Sequence, residues 1–214
     1  MKTLQVSEQL FKAYPLEAGY GFTWTLASRL GQMLRLAEEN FGPRDKEYTF
    51  LGIEFRDASP QTWYPGGRKD VVIQLGVVCA NDPLRALWQL AHECVHLLSP
   101  TGGFHSTTLE EGLATIFSEE YFRPWGPTQY EWAKSGATAA YRMAANAAGE
   151  LLALDASCIR TIREEQPRFD LMDAELILRH VPTCERVLAK KLTCPWKLVG
   201  SDGSLPQEYI SESE

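Results

Sequence analysis

The stretch Asn81-Asp82-Pro83-Leu84-Arg85-Ala86-Leu87-Trp88-Gln89-Leu90-Ala91-His92-Glu93-Cys94-Val95-His96-Leu97-Leu98 reads as one amphipathic helix. Asp82 before Pro83 is a start signal, a capping side chain followed by a proline that needs no helical N–H partner. Leu84, Leu87, Ala91, Cys94 and Leu98 recur at spacings of three and four and form a core-facing stripe. Pro100-Thr101-Gly102-Gly103 stops the helix. His92 and His96 fall on the side opposite the stripe and are expected to face a cleft. Cys94 lies within the stripe and is expected to pack rather than ligate.

The run His92-Glu93-Cys94-Val95-His96 has the pattern H-E-x-x-H. Residues four apart are neighbours on one helix face, so both imidazoles can reach one ion. Glu93 lies about 100° round the helix and can reach a water on that ion. A bound zinc ion (Zn2+) with Glu93 as general base is the chemistry this arrangement serves. Two helical histidines are also compatible with plain packing or solvation, so a second segment is needed.

That segment is Thr107-Thr108-Leu109-Glu110-Glu111-Gly112-Leu113-Ala114-Thr115, which opens the next helix. A catalytic zinc takes three protein ligands and keeps a fourth position open. A carboxylate from this second helix completes the set. Both Thr107-x-x-Glu110 and Thr108-x-x-Glu111 also fit a capping box. The expectation is that Glu111 ligates and Glu110 caps. Gly112, Thr115 and Ser118 are small, which would let the two ligand helices approach closely.

H-E-x-x-H followed by E-G-x-A on the next helix resembles the gluzincin metallopeptidases, in their compact minigluzincin form, with a looser similarity to the ImmA/IrrE-type regulatory peptidases. The resemblance covers roughly residues 70 to 120. It implies that His92, His96 and Glu111 hold Zn2+, with fourteen residues between His96 and Glu111. It also implies an edge strand near Val71–Val78 that pairs with an extended peptide, an interaction that needs no particular side chain. One departure matters: many gluzincins place an Asp four residues after the third ligand to orient a zinc-bound histidine, and this chain has Thr115. The orienting acceptor must come from elsewhere.

Outward from this pair of helices, the chain reads as α+β: a small mixed sheet packed on the active-site helix, with a mostly helical C-terminal part. Helical periodicity runs from Phe22 to Asn40 through Trp24, Leu26, Leu30, Met33, Leu34 and Leu36. Tyr48–Phe55 and Val71–Val78 are strand-like, separated by a turn-rich loop at Ser59–Gly67. The Trp63-Tyr64-Pro65-Gly66-Gly67 part of that loop either flanks the cleft or packs locally. Beyond residue 127, Trp132–Leu154 is the longest helical segment, with Leu171–His180 and Cys184–Leu192 separated by Pro182. The expected organisation is a catalytic core at 1–122, a helical subdomain at 123–196 and a mobile acidic tail at 197–214.

The net charge of −7 argues against nucleic acid as the main partner. No apolar run is long enough to span a bilayer, so no membrane role is expected. Met1–Glu8 lacks the features of a secretory signal, and the five cysteines are odd in number with no C-x-x-C pair. Both fit a cytoplasmic protein with reduced, buried thiols.

The function these expectations imply is zinc-dependent hydrolysis of peptide bonds by a substrate-restricted intracellular endopeptidase. The partner would be a protein or peptide substrate, with room for a specific regulatory partner. A zinc-containing regulatory or binding module without peptidase activity is the alternative, and a hydrolase acting on a small amide is a third. An intact Glu93 favours catalysis, because a structural site has no use for a general base. His105, Tyr121 and His180 are candidates for the oxyanion or substrate contact, each equally readable as a surface or packing residue.

Overall fold

The computed structural model describes residues 12–17, 19–67 and 69–211. The Met1–Glu8 reading and the last three residues of the expected tail lie outside that set. The architecture is α+β: eight α-helices among the described residues and a three-stranded mixed sheet.

Helix α1 spans Leu26–Phe41 and starts at a reciprocal capping box between Thr25 and Ser28. It buries Leu26, Leu30, Met33, Ala37 and Phe41, while Trp24 and Leu36, expected on the apolar face, are exposed. Strand β1 (Thr49–Arg56) runs parallel to β3 (Asp70–Gly76), and the short β2 (Gln61–Trp63) pairs antiparallel with the other side of β3. The sheet order is therefore β1-β3-β2. This corrects two expectations. The turn-rich loop contains a strand, and β3 is central, so β2 is the edge beside the helix that carries His92 and His96. A 3-10 turn at Val77–Asn81 replaces the end of the expected second strand, leaving Val77 and Val78 exposed.

Helix α2 (Pro83–His96) is capped by Asp82, whose side chain accepts from the Arg85 N–H at 3.0 Å. It packs on α1, on β3 and on α3 (Thr108–Glu120). Of the expected stripe, Leu87, Ala91, Cys94 and Leu98 are wholly buried, and Leu84, at the start of the helix, is half-buried against the same core. Helix α2 is enclosed further round than a single stripe implies, because Ala86, Leu90 and Val95 are buried too.

The segment expected as one long helix is two, α4 (Pro127–Ser135) and α5 (Ala139–Leu154), with the break after Ser135 at Gly136. Helix α6 (Cys158–Glu165) was not foreseen; α7 (Ala174–His180) and α8 (Arg186–Thr193) fall within or close to the expected segments. Helix α3 lies between α2 and α5. Gly112 faces α5 rather than α2: a Cβ there would sit 2.3 Å from the Ala144 carbonyl oxygen. One continuous apolar cluster runs from Leu26 to Leu192, across the boundary expected near residue 122. Much of the expected tail is also built in. Gly203 lies against Ala139 and Met143 of α5, and Gln207–Tyr209 forms a 3-10 turn near α8. All five cysteines are unpaired and buried. No helix of the described residues is long and apolar enough to cross a membrane.

Candidate metal centre

Helices α2 and α3 bring His92, His96 and Glu111 together, with one donor atom from each within 4.8 Å of the others. His92 Nε2 lies 3.1 Å from Glu111 Oε2, and His96 Nε2 lies 3.7 Å from Glu111 Oε1. Ligands of a tetrahedral zinc at ~2.0–2.2 Å stand about 3.3 Å apart. The donor types and their spacing therefore fit such an ion. All three side chains line a cleft of about 300 Å³.

The local sequence explains the placement. Thr107, the N-cap of α3, accepts the Glu110 N–H at 3.3 Å, which starts the helix so that Glu110 and Glu111 both fall in its first turn. The Glu110 side chain does not close the box expected for it. It turns to His96, whose Nδ1 lies 2.8 Å from Glu110 Oε1. This bond leaves His96 Nε2 for the centre and supplies the acceptor that Thr115 cannot. Thr115 donates to the Glu111 carbonyl oxygen at 2.8 Å, and so anchors the helix instead. No such acceptor serves His92, whose buried Nδ1 has no partner among the described residues.

The electrostatics favour a cation. Burial opposes charge on His96, yet Glu111, Glu110 and Glu93 outweigh it and raise its pKa to about 10. Burial likewise opposes the Glu111 carboxylate, but His96 and the hydrogen bond with His92 hold its pKa at about 2. A proton on His96 serves the role a metal ion would serve, so metal uptake must displace it. Burial raises the pKa of Glu93, with both histidines opposing. Its Oε2 accepts from the Thr62 hydroxyl of β2 at 3.0 Å.

The three candidates for an oxyanion contact separate. His105 lines the cleft and is exposed. Tyr121 does not line it: the ring packs on Phe122 and Trp125, and the hydroxyl donates to Gln32 Oε1 at 3.3 Å. His180 is likewise elsewhere, with Nε2 2.9 Å from Glu165 Oε2. Both were plausible only as polar rings of unknown placement. Tyr64 lines the cleft, and its hydroxyl accepts the Thr101 N–H at 3.0 Å, so half of the Trp63–Tyr64 pair does flank the site.

The sequence reading missed Tyr141 of α5. Its ring stands edge-on to His92 with centroids 5.4 Å apart, and it lines the cleft with Glu93 and Glu111. The Trp196 ring packs against it, with ring centroids 5.0 Å apart and planes tilted by 39°. Burial, then Glu111 and Glu93, push the phenol pKa up, so it keeps its proton. Trp196 is delivered by a strap whose backbone joins the start of α3: Thr108 N–H donates to the Cys194 carbonyl and Trp196 N–H to the Ser106 carbonyl, both at 2.9 Å. No local pattern marks Tyr141, an aromatic in an alanine-rich helix.

Comparison with known protein families, curated proteins and solved structures returns no match, so the reading of this centre rests on its own geometry.

Proposed function

We propose that this chain is a zinc-dependent peptidase of gluzincin type, acting on an extended peptide. The observation that carries the reading is Glu93. It is a carboxylate beside the three convergent donors that is not needed among them, only 4 % exposed, yet facing the cleft.

His92, His96 and Glu111 would hold the ion, and Glu110 would keep His96 in the tautomer that ligation needs. Zinc, when bound, supplies a Lewis acid that polarises the scissile carbonyl and acidifies water. Glu93 then accepts the proton of the attacking water and delivers it to the leaving amine. Its raised pKa suits a group that must both take and return a proton. Tyr141, protonated and packed against the Trp196 ring, donates to the oxygen on which charge develops. Gln61 and Thr62 of β2 line the cleft, and the side of β2 not paired with β3 offers an edge to which a peptide backbone can pair.

Glu93→Gln tests the reading. It keeps shape and hydrogen bonding and removes the base. Zinc content, measured by elemental analysis, should stay near one per chain, while peptide hydrolysis falls at least about a hundredfold. His96→Ala should lose both zinc and activity. A Glu93→Gln protein that keeps full activity, beside an inactive His96→Ala, would leave the metal a structural or binding role and end the peptidase reading.

A further inference from the structure

Strand β2 is three residues long and, among the described residues, paired on one side only. So short an edge is weakly held by its own ladder. Side chains alternate along it. Gln61 points to the outer face, where its Nε2 donates to Gln74 Oε1 at 2.7 Å. Thr62 points the other way, to α2, and is almost fully buried there. Its hydroxyl holds Glu93 Oε2, and among the described residues no hydrogen bond engages Oε1. The terminal torsion of a glutamate is broad and poorly fixed on its own. One donor on one oxygen sets the plane of the carboxylate and leaves the other oxygen for water.

We propose that Thr62 couples the peptide-binding edge to the base: a substrate paired with Gln61–Trp63 fixes the Thr62 hydroxyl, and that hydroxyl sets Glu93 in its productive orientation. Thr62 is a positioning residue, acting through Glu93. The inference rests on the peptidase reading above. It makes binding energy from a part of the substrate remote from the cleaved bond appear in kcat rather than in KM alone.

The test uses zinc-loaded protein and two pools of quenched-fluorescent peptides of randomised sequence. One pool is about four residues long. The other is about eight, long enough at ~3.3 Å per residue to extend along β2. In the native protein, the longer pool should show kcat higher by about tenfold or more, the scale that orientation supplies. Thr62→Val keeps the branched shape and removes the donor. It should lose the gain in kcat with length, yet keep the lower KM of long peptides and normal zinc content. Thr62→Ser, which restores a hydroxyl, should recover the gain. A second readout needs no turnover. In Glu93→Gln protein, adding long peptide should shift the Thr62 methyl NMR resonance, and short peptide should leave it in place. A length-dependent kcat that survives in Thr62→Val, or a loss that Thr62→Ser does not repair, overturns the coupling while leaving the peptidase reading intact. A native protein that cleaves neither pool overturns both.

Discussion

Glu110 and Glu111 are adjacent, identical and both buried, yet they do different work. Glu111 faces both imidazoles, whereas Glu110 Oε1 meets the far nitrogen of His96 and its Oε2 has no partner among the described residues. A capping reading of Glu110 predicts that its loss costs only about 1 kcal/mol of helix-start stability. The His96 bond predicts more. Glu110→Ala should weaken zinc binding about ten- to a hundredfold, the range for an acceptor behind a ligating histidine. Glu111→Ala, which removes a proposed ligand, should weaken it further. Competition titration with a chromophoric chelator measures both. If Glu110→Ala keeps native affinity, the His96 contact is incidental. The pair was half legible beforehand: the E-G-x-A pattern singled out Glu111. The partner of Glu110 depends on where α2 places His96, fourteen residues back and on another helix.

At the scale of elements, the centre depends on how closely α3 meets α5. Gly112, next to Glu111, touches the Ala144 backbone, and Ala148 lies against it as well. By helix propensity alone, Gly112→Ala would stabilise α3 by about 1 kcal/mol. The clash is with a carbonyl that cannot rotate away, so the helices must separate, at a cost near 3 kcal/mol. The net expectation is a loss of about 2 kcal/mol in denaturant unfolding. Zinc affinity should fall too, because Glu111 and Tyr141 sit on the two helices forced apart. Gly149 of α5 is the control, since a Cβ there meets nothing within 4 Å. Gly149→Ala should stabilise by up to about 1 kcal/mol. Equal effects at the two glycines would refute the close-packing argument. The expectation that small residues let α3 pack closely holds for its neighbours in general, but Gly112, read as facing α2, meets α5 instead.

At the scale of the whole molecule, one buried arginine fastens distant parts of the chain. Arg163 of α6 donates to the carbonyls of Phe41, Gly42, Pro43, Leu98 and Pro167, all at 2.9–3.0 Å. It thereby ties the end of α1, the turn after α2 and the chain beyond α6 to one guanidinium. Burial lowers its pKa to about 10, which still leaves it charged at neutral pH. Arg163→Met would leave several buried acceptors unpaired, at about 1–3 kcal/mol each where water cannot replace the donor. A loss of about 3–5 kcal/mol is expected, seen as a drop of roughly 10 °C in melting temperature. Arg163→Lys should rescue little of it, since an ammonium has no planar fork of donors. A melting temperature within a few degrees of native for Arg163→Met would show that the carbonyls find other partners.

Helix α2 and the facing of its two histidines were readable from residues 81–98 because they rest on local rules: caps, a period of 3.6, and i, i+4 neighbours. The α+β class followed from the same kind of pattern. Glu111 was singled out over Glu110 by the resemblance of E-G-x-A to the gluzincin pattern, not by any local rule. Folding was needed to place β2 at the sheet edge, to bring Thr62 to Glu93 and Glu110 to His96, and to set Tyr141 beside the centre. It was also needed to remove Tyr121 and His180 from it. Each of these pairings joins residues far apart in the chain, and a side chain's partner across such a gap is set by how helices and strands pack together. No spacing within a single segment encodes that packing.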